Sequence, residues 1–328
     1  MRQQPLGQTG LTVSVPGLGC MGMSEFYGPS EESASLDTLA AALALGYDFL
    51  DTADTYGLGH NETLLGGFLK GRRDRVVLAT KFGIVRAPGS TERRIDNTPA
   101  YLTAACEASL RRLGVETIDL YYCHRRNPET PLAEMIGAMA RLVEQGKVRG
   151  LGLSEVSPET LRAAHAIHPI AAVQSEYSLW SRTPEDGMLQ ACRDLDVTFV
   201  AYAPLGRGFL TGSLDPTRLA ADDFRRGNPR FQTDALARNQ RLLDGIGAIA
   251  ARRNARPGQI ALAWLVDRAP GVVPIPGTRR VARLAENASA MDLALTPGEI
   301  AELDGLFPPG AAAGARYAAG GTAGIEVL

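Results

Sequence analysis

Four ionisable residues stand where short apolar runs end. Tyr47-Asp-Phe-Leu50 leads into Asp51-Thr-Ala-Asp-Thr-Tyr56, Val76-Val-Leu-Ala-Thr80 leads into Lys81, and Ile118-Asp-Leu-Tyr-Tyr-Cys123 leads into His124. Runs of this length read as buried strands. An unpaired charge in a plain core costs several kcal/mol, so ionisable groups at three strand ends point to a site. Asp51, Tyr56, Lys81 and His124 are all titratable, the kind of side chain that acid–base chemistry uses. A simpler alternative makes Asp51 and Lys81 a structural ion pair and Tyr56 a packed aromatic.

To converge, these residues need a scaffold that puts strand ends side by side. After a hairpin turn at Gly7-Gln-Thr-Gly10, the chain alternates strand-like and helix-like stretches. The strands read as Val13 to Cys20 and the three runs above, then Val148 to Leu153, Ala171 to Gln174, Val197 to Ala201 and Val272 to Ile275. Helices run from Glu31 to Leu45, Glu62 to Lys70, Pro99 to Leu113 and Leu132 to Glu144, and others start at Pro158 and Pro184. Two more, Asn239 to Arg253 and Pro257 to Arg268, precede the last strand. No two of the eight strands lie close enough for a tight hairpin, so the sheet should be parallel. In a chain of 328 residues this is the pattern of an α/β fold, a single-domain (β/α)8 TIM barrel with an N-terminal β-hairpin. In such a barrel the site lies on the loops at the carboxyl ends of the strands, where the four residues fall.

Gly17, Gly19 and Gly22 also match G-x-G-x-x-G, the dinucleotide fingerprint of a doubly wound fold. That motif needs a helix opening on its third glycine, whereas Met23 to Pro29 is loop-like. Asp51 lies 29 residues past Gly22, against about 20 in the motif.

Two stretches depart from a plain barrel. The link from strand seven, Tyr202 to Leu236, is rich in Gly, Pro and Arg and long enough for a binding loop or lid. The tail 308–328 is rich in Gly and Ala and is expected to be loosely ordered unless something bound holds it. The charge balance of 34 basic and 36 acidic residues offers no attraction for nucleic acid or an anionic membrane. The apolar runs are strand-length, the first residues lack a secretory core, and four scattered cysteines show no metal spacing. A cytoplasmic protein is expected, of open oligomeric state.

The segments Gly17-Leu-Gly-Cys-Met-Gly22, Phe49 to Tyr56, Ala79-Thr-Lys81, Asp119 to His124, Gly150 to Ser154, Gln174 to Ser178, Ala201 to Gly206 and Ile275-Pro-Gly-Thr278 come in an order that resembles the aldo-keto reductases. The resemblance is to the branch that includes pyridoxal-reductase-like proteins and potassium channel β subunits. It covers almost the whole chain and implies an enzyme that reduces aldehydes or ketones with NADPH/NADP+. It implies Tyr56 as proton donor, Lys81 and Asp51 tuning it, and His124 orienting a small-molecule carbonyl substrate. Lys81 beside the Tyr56 oxygen would lower the phenol's pKa.

For the cofactor, the resemblance implies Tyr202 stacked on the nicotinamide and Ser154 and Gln174 on its amide, with Gly22 and Met23 nearby. Glu155 stands where many members have asparagine. Pro204, Leu205, Gly206, Arg207 and Gly208 would cross the pyrophosphate, Arg207 supplying charge. Thr278, Arg279, Arg283, Glu286 and Asn287 would meet the adenosine end, with Ile275 and Gly277 also on the cofactor and Thr278 opening a helix that runs to Glu286. The substrate pocket would draw on Met23, Phe26, Tyr27, Trp180 and the segment from Phe82 to Asn97. A competing expectation, also from the family, is a cofactor-bearing partner or redox sensor with little turnover.

Overall fold

Eight parallel strands follow one another around a barrel: β1 (Leu18–Gly19), β2 (Phe49–Asp51), β3 (Val77–Phe82), β4 (Ile118–Cys123), β5 (Val148–Ser154), β6 (Ile170–Glu176), β7 (Thr198–Tyr202) and β8 (Val272–Pro274). The order in the sheet is the order in the chain, and the Gly17 N–H donates to the Pro274 carbonyl at 3.0 Å across the seam between β8 and β1. This computed structural model describes residues 1–89, 92–318 and 320–327. Ser90 and Thr91 of the expected substrate segment, and Ala319 and Leu328 of the tail, lie outside the described residues.

The strands pair in parallel because each is followed by a helix that returns the chain to the other end. Two of these helices start on side-chain caps: Thr98 accepts from the Tyr101 N–H with Pro99 in the first turn, and Ser157 accepts from the Thr160 N–H before Pro158. The barrel interior is a small apolar core of Phe49, Ala79, Leu120, Tyr122, Ala172, Val200 and Val273, and a larger core fills the ring between strands and helices.

The first strand is a correction. Val13 and Val15 belong to the N-terminal hairpin, Arg2–Pro5 against Thr12–Val15, and only Leu18–Gly19 joins the barrel. The hairpin lays Leu6, Val13 and Val15 into the interior core. It bonds the lower ends of three strands: Ser14 N–H to the Asp48 carboxylate, Gly7 N–H to Thr198 Oγ1, and Gln4 to the Gly271 carbonyl. The opposite end is thus left free for a site.

The glycine pattern near residue 20 has a packing cause. A β-carbon on Gly17 would lie 2.7 Å from the Phe49 ring, and one on Gly19 would lie 2.9 Å from the Ile275 carbonyl oxygen. The long helix begins only at Glu32, after the short turn Met21–Met23. A second hairpin, Ile84–Arg86 with Arg93–Ile95, rises from the end of β3. No helix among the described residues is long and apolar enough to cross a membrane.

Candidate active site

Asp51 ends β2 and Lys81 lies in β3, with Asp51 paired to Ala79 in the adjoining register, so the two side chains meet inside the barrel mouth. The Lys81 ammonium is fully buried; it donates to Asp51 Oδ1 and, at 2.7 Å, to the Thr52 carbonyl. Gln174 from β6 donates to the other Asp51 oxygen at 2.8 Å. Tyr56 sits on the turn after β2, which is tied to β3 by the Asp54 N–H on the Lys81 carbonyl. Its ring meets that of His124 edge to face, centroids 5.8 Å apart, and Lys81 Nζ stands 5.2 Å from the ring centre. His124 is set by its own N–H on the Phe82 carbonyl at 2.8 Å, one strand over. The four residues therefore form one cluster.

Its electrostatics correct one expectation. Lys81 makes no hydrogen bond to the Tyr56 oxygen; its protons go to Asp51 and Thr52. Burial first, and the Asp51 charge second, push the Tyr56 phenol well above its ordinary pKa. The phenol is accordingly held protonated, the form a proton donor needs. Burial also pulls Lys81 down, against the opposing pull of Asp51. His124 is driven well below its usual pKa by burial and then by Arg125 and Lys81, so it stands neutral, and its Nδ1 is buried without a partner among the described residues.

Above the cluster opens a cavity of about 560 Å³, running from Tyr56 and His124 past Tyr202 to Asn287. Of the residues named for the cofactor, Gly22, Ser154, Gln174, Tyr202, Pro204, Leu205, Arg207, Gly208, Ile275, Gly277, Thr278, Arg279, Arg283, Glu286 and Asn287 line it. So do Phe26 and Tyr27. Volumes of this size hold small molecules and parts of cofactors. The fit to a dinucleotide rests on shape and charge: one elongated cavity joins the proton-donating cluster to a stretch bearing Arg279, Arg280 and Arg283.

Other expected residues are elsewhere. Met23 is buried beneath the cavity, Gly206 packs on Trp180, and Trp180 itself stacks on Phe209 at 4.6 Å in the core. Phe82 is buried as well. Glu155, with φ +58°, turns its carboxylate away from the cavity to accept from the Glu176 N–H and from Arg316. Arg207 lines the cavity but does not offer a free charge, because its guanidinium donates to Glu176 at 2.7 Å. That pairing holds Gly206, Arg207 and Gly208, all at positive φ, in a left-handed turn that a non-glycine residue rarely adopts. Arg279 donates to the carbonyls of Tyr27, Gly28 and Pro29, and Arg283 donates to Glu286 at 2.6 Å. The helix after β8 starts at Val281, so Thr278 and Arg279 precede it.

Several lining residues escaped the sequence. Arg125 directly follows His124 and donates to Ser154 Oγ at 3.2 Å. Arg280 stands beside Arg279; Arg86 and Arg93, by contrast, come from the second hairpin, within the segment from Phe82 to Asn97 expected at the substrate pocket. The tail is pinned across the mouth rather than loose: Arg316 donates to Glu155, Glu176 and the Tyr202 hydroxyl, Tyr317 shares a 2.8 Å bond with Tyr202, and Glu326 accepts from Arg126 and the Ser157 N–H. Charge at position 176 inside an apolar strand was the available signal.

Residues 17–307 match the model of the aldo/keto reductase family. The chain is 44% identical over 315 residues to aldo-keto reductase yakc [NADP(+)] of Schizosaccharomyces pombe, spanning 94% of this chain and 93% of that protein. Among solved structures it is similar to the glycerol dehydrogenase AKR11B4 from Gluconobacter oxydans, at 29% identity and TM-score 0.85, covering 93% and 94% of the two chains. It is also similar to an aldo/keto reductase from Klebsiella pneumoniae in complex with NADP and acetate, at 29% identity and TM-score 0.73, covering 94% and 96%. With its barrel, its cluster at the strand ends and a match over most of its length, the chain belongs to the aldo/keto reductase family.

Proposed function

We propose that this protein reduces aldehydes or ketones to alcohols with NADPH, and that Tyr56 gives the proton. The observation that carries this is the convergence of a protonated phenol, a buried ammonium–carboxylate pair and a neutral imidazole at one end of a cavity long enough to extend to three arginines. The similarity to an NADP(+) aldo-keto reductase supports the cofactor.

The chemistry that NADPH supplies when bound is a hydride. The chain's own residues then have distinct tasks. Tyr202 presents a ring to the nicotinamide end, with Ser154 and Gln174 beside it; the segment Pro204 to Gly208 lies along the middle; Thr278, Arg279, Arg283 and Asn287 meet the adenosine end. His124, neutral, donates a hydrogen bond to the carbonyl oxygen, a contact worth about 10²- to 10³-fold in rate for comparable donors. Tyr56 passes its proton to the same oxygen as it gains charge. Lys81 limits the cost of the phenolate left behind, and Asp51 and the Thr52 carbonyl keep the ammonium in place.

The test is NADPH oxidation, followed by absorbance, over a panel of aromatic and aliphatic carbonyls. Turnover with alcohol formed in equal amount is expected. Tight NADPH binding with no reduction of any carbonyl would overturn the proposal in favour of a sensing role.

A further inference from the structure

Eight arginines line the cavity among the described residues, against two carboxylates, Asp51 and Glu286. Four of the eight have anionic partners: Arg86 with Glu25, Arg207 with Glu176, Arg225 with Asp223 and Arg283 with Glu286. Arg279 and Arg280 lie at the dinucleotide end. That leaves Arg93 and Arg125, which stand at the catalytic end, where the proposed function gives neither of them a task.

Both are held in place without a carboxylate among the described residues. Arg125 follows the last residue of the catalytic cluster, and its guanidinium donates to the His124 carbonyl at 2.7 Å and to Ser154 Oγ at 3.2 Å. Its backbone carbonyl accepts from Asn97, which fixes the second hairpin over β4. Arg93 comes from that hairpin and donates to the Gly320 carbonyl at 2.7 Å. Glu155, whose carboxylate acts on Arg125, is committed to Arg316. The Asp51 charge is met by Lys81. His124 feels the excess: burial comes first among the causes that depress it, and Arg125, Lys81, Arg93 and Arg86 follow, all of one sign.

Arg125 is half-buried and Arg93 exposed; for Arg125, a guanidinium partly withdrawn from water without a counter-charge is costly, and the planar donors of either match a carboxylate in paired hydrogen bonds. Phe26 and Ile84 add apolar surface to the cavity that Tyr56, Arg93 and Arg125 also line, so it suits a short carbon skeleton with a carbonyl at one end and an anion at the other. Resting on the carbonyl-reduction reading, we propose that the substrate is an aldehyde or ketone carrying a carboxylate, and that Arg125, assisted by Arg93, binds that carboxylate while Tyr56 and His124 engage the carbonyl.

The experiment compares kcat/KM for 2-, 3- and 4-carboxybenzaldehyde with that for the three matching carboxamides, with saturating NADPH. The pairs share shape and differ in charge. At least one carboxylate should be preferred tenfold or more over its carboxamide, and the preference should shrink as salt rises. Arg125→Gln should cut that ratio at least tenfold, chiefly through KM, and Arg93→Gln should cut it less. The ratio discriminates where a general loss of activity would not, since damage to the cluster lowers both substrates together. Equal or better use of every carboxamide by the parent protein would overturn the proposal, and that result needs no variant. So would a ratio unmoved by both substitutions. If Arg125→Gln weakens NADPH binding while the ratio stays fixed, the guanidinium serves the cofactor and the carboxylate site is wrong. Should no carbonyl of any charge be reduced, the carbonyl-reduction reading falls, and calorimetric binding of the carboxybenzaldehydes against the carboxamides still decides on the anion site.

Discussion

The two ends of the cavity are built by different means. At the catalytic end each side chain hangs from a strand or the first turn after one, and its partners are buried: Lys81 and Asp51 are 0% and 2% exposed. At the dinucleotide end Arg279 and Arg280 stand on the loop before a helix and Arg283 in that helix's first turn; they keep contact with water, and two of them are already occupied, Arg283 by Glu286 and Arg279 by three backbone carbonyls. Between them lies a third arrangement, in which buried Glu176 gathers Arg207, Arg230 and Arg316 from the link after β7 and from the tail. The contrast teaches where geometry is preset and where binding has to rearrange partners. For Arg283 to face a phosphate, it must exchange the Glu286 carboxylate for it.

The largest effect is expected at Lys81. Lys81→Met leaves Asp51 in the barrel mouth with Gln174 as its remaining side-chain donor, and breaking a buried pair by removing one partner costs about 3–5 kcal/mol. Thermal unfolding should show that loss, and kcat should drop by about 10³-fold or more while NADPH still binds. Normal turnover in a folded Lys81→Met would remove the ammonium from the mechanism and with it the idea that the catalytic end is preset.

Glu176 comes next. Burial alone would raise its carboxyl, but the guanidiniums of Arg207, Arg316 and Arg230 outweigh burial and hold it at about 2, below its ordinary 4.5. An acid with a depressed folded-state pKa stabilises the protein above its unfolded pKa and loses that contribution as pH falls through the folded one. The contribution should be present above about pH 4.5 and disappear between about 4.5 and 2. Glu176→Gln should flatten that part of the pH–stability curve and admit protease to the segment from Leu205 to Arg230 and to the tail. Unchanged cutting would mean the link and tail are held by something other than this carboxylate.

The smallest effect separates the cofactors. A 2′-phosphate carries nearly two negative charges, and charge-assisted hydrogen bonds are worth about 1.5–3 kcal/mol each. Half of that or more goes to replacing Glu286, so Arg283→Ala should weaken NADPH binding about three- to tenfold and NADH binding hardly at all. Arg280, unlike Arg283, has no carboxylate to exchange among the described residues, so Arg280→Ala should cost NADPH more than Arg283→Ala does. Equal losses for both cofactors would assign these arginines to the shared part of the dinucleotide.

How much of this the sequence disclosed follows the same division. A strand that stops at an ionisable residue betrays both its own end and the residue's position, because alternation and burial are local properties; Asp51, Lys81 and His124 were readable for that reason, and Tyr56 because it lies one turn away. The barrel's first strand was not, since two residues, Leu18 and Gly19, carry no period, and the stronger pattern of Val13 and Val15 belonged to the hairpin. Partner choice among charges was not readable either. Arg207 looked free in a glycine-rich link and Glu155 looked like a cofactor contact, yet both are claimed by residues far along the chain, Glu176 and Arg316. The tail's Gly and Ala content spoke for looseness, while three side chains, Arg316, Tyr317 and Glu326, tie it down.

The central claim is that Tyr56 gives the proton and takes no part in holding the cofactor. Tyr56→Phe keeps the ring against His124 and removes the hydroxyl alone. Single-turnover reduction of an aldehyde that the parent protein accepts, measured beside the NADPH dissociation constant, tests it most directly. The account predicts a hydride-transfer step slowed by about 10³-fold or more with NADPH binding within a few-fold of the parent. A variant that reduces the aldehyde at the parent's rate would contradict it.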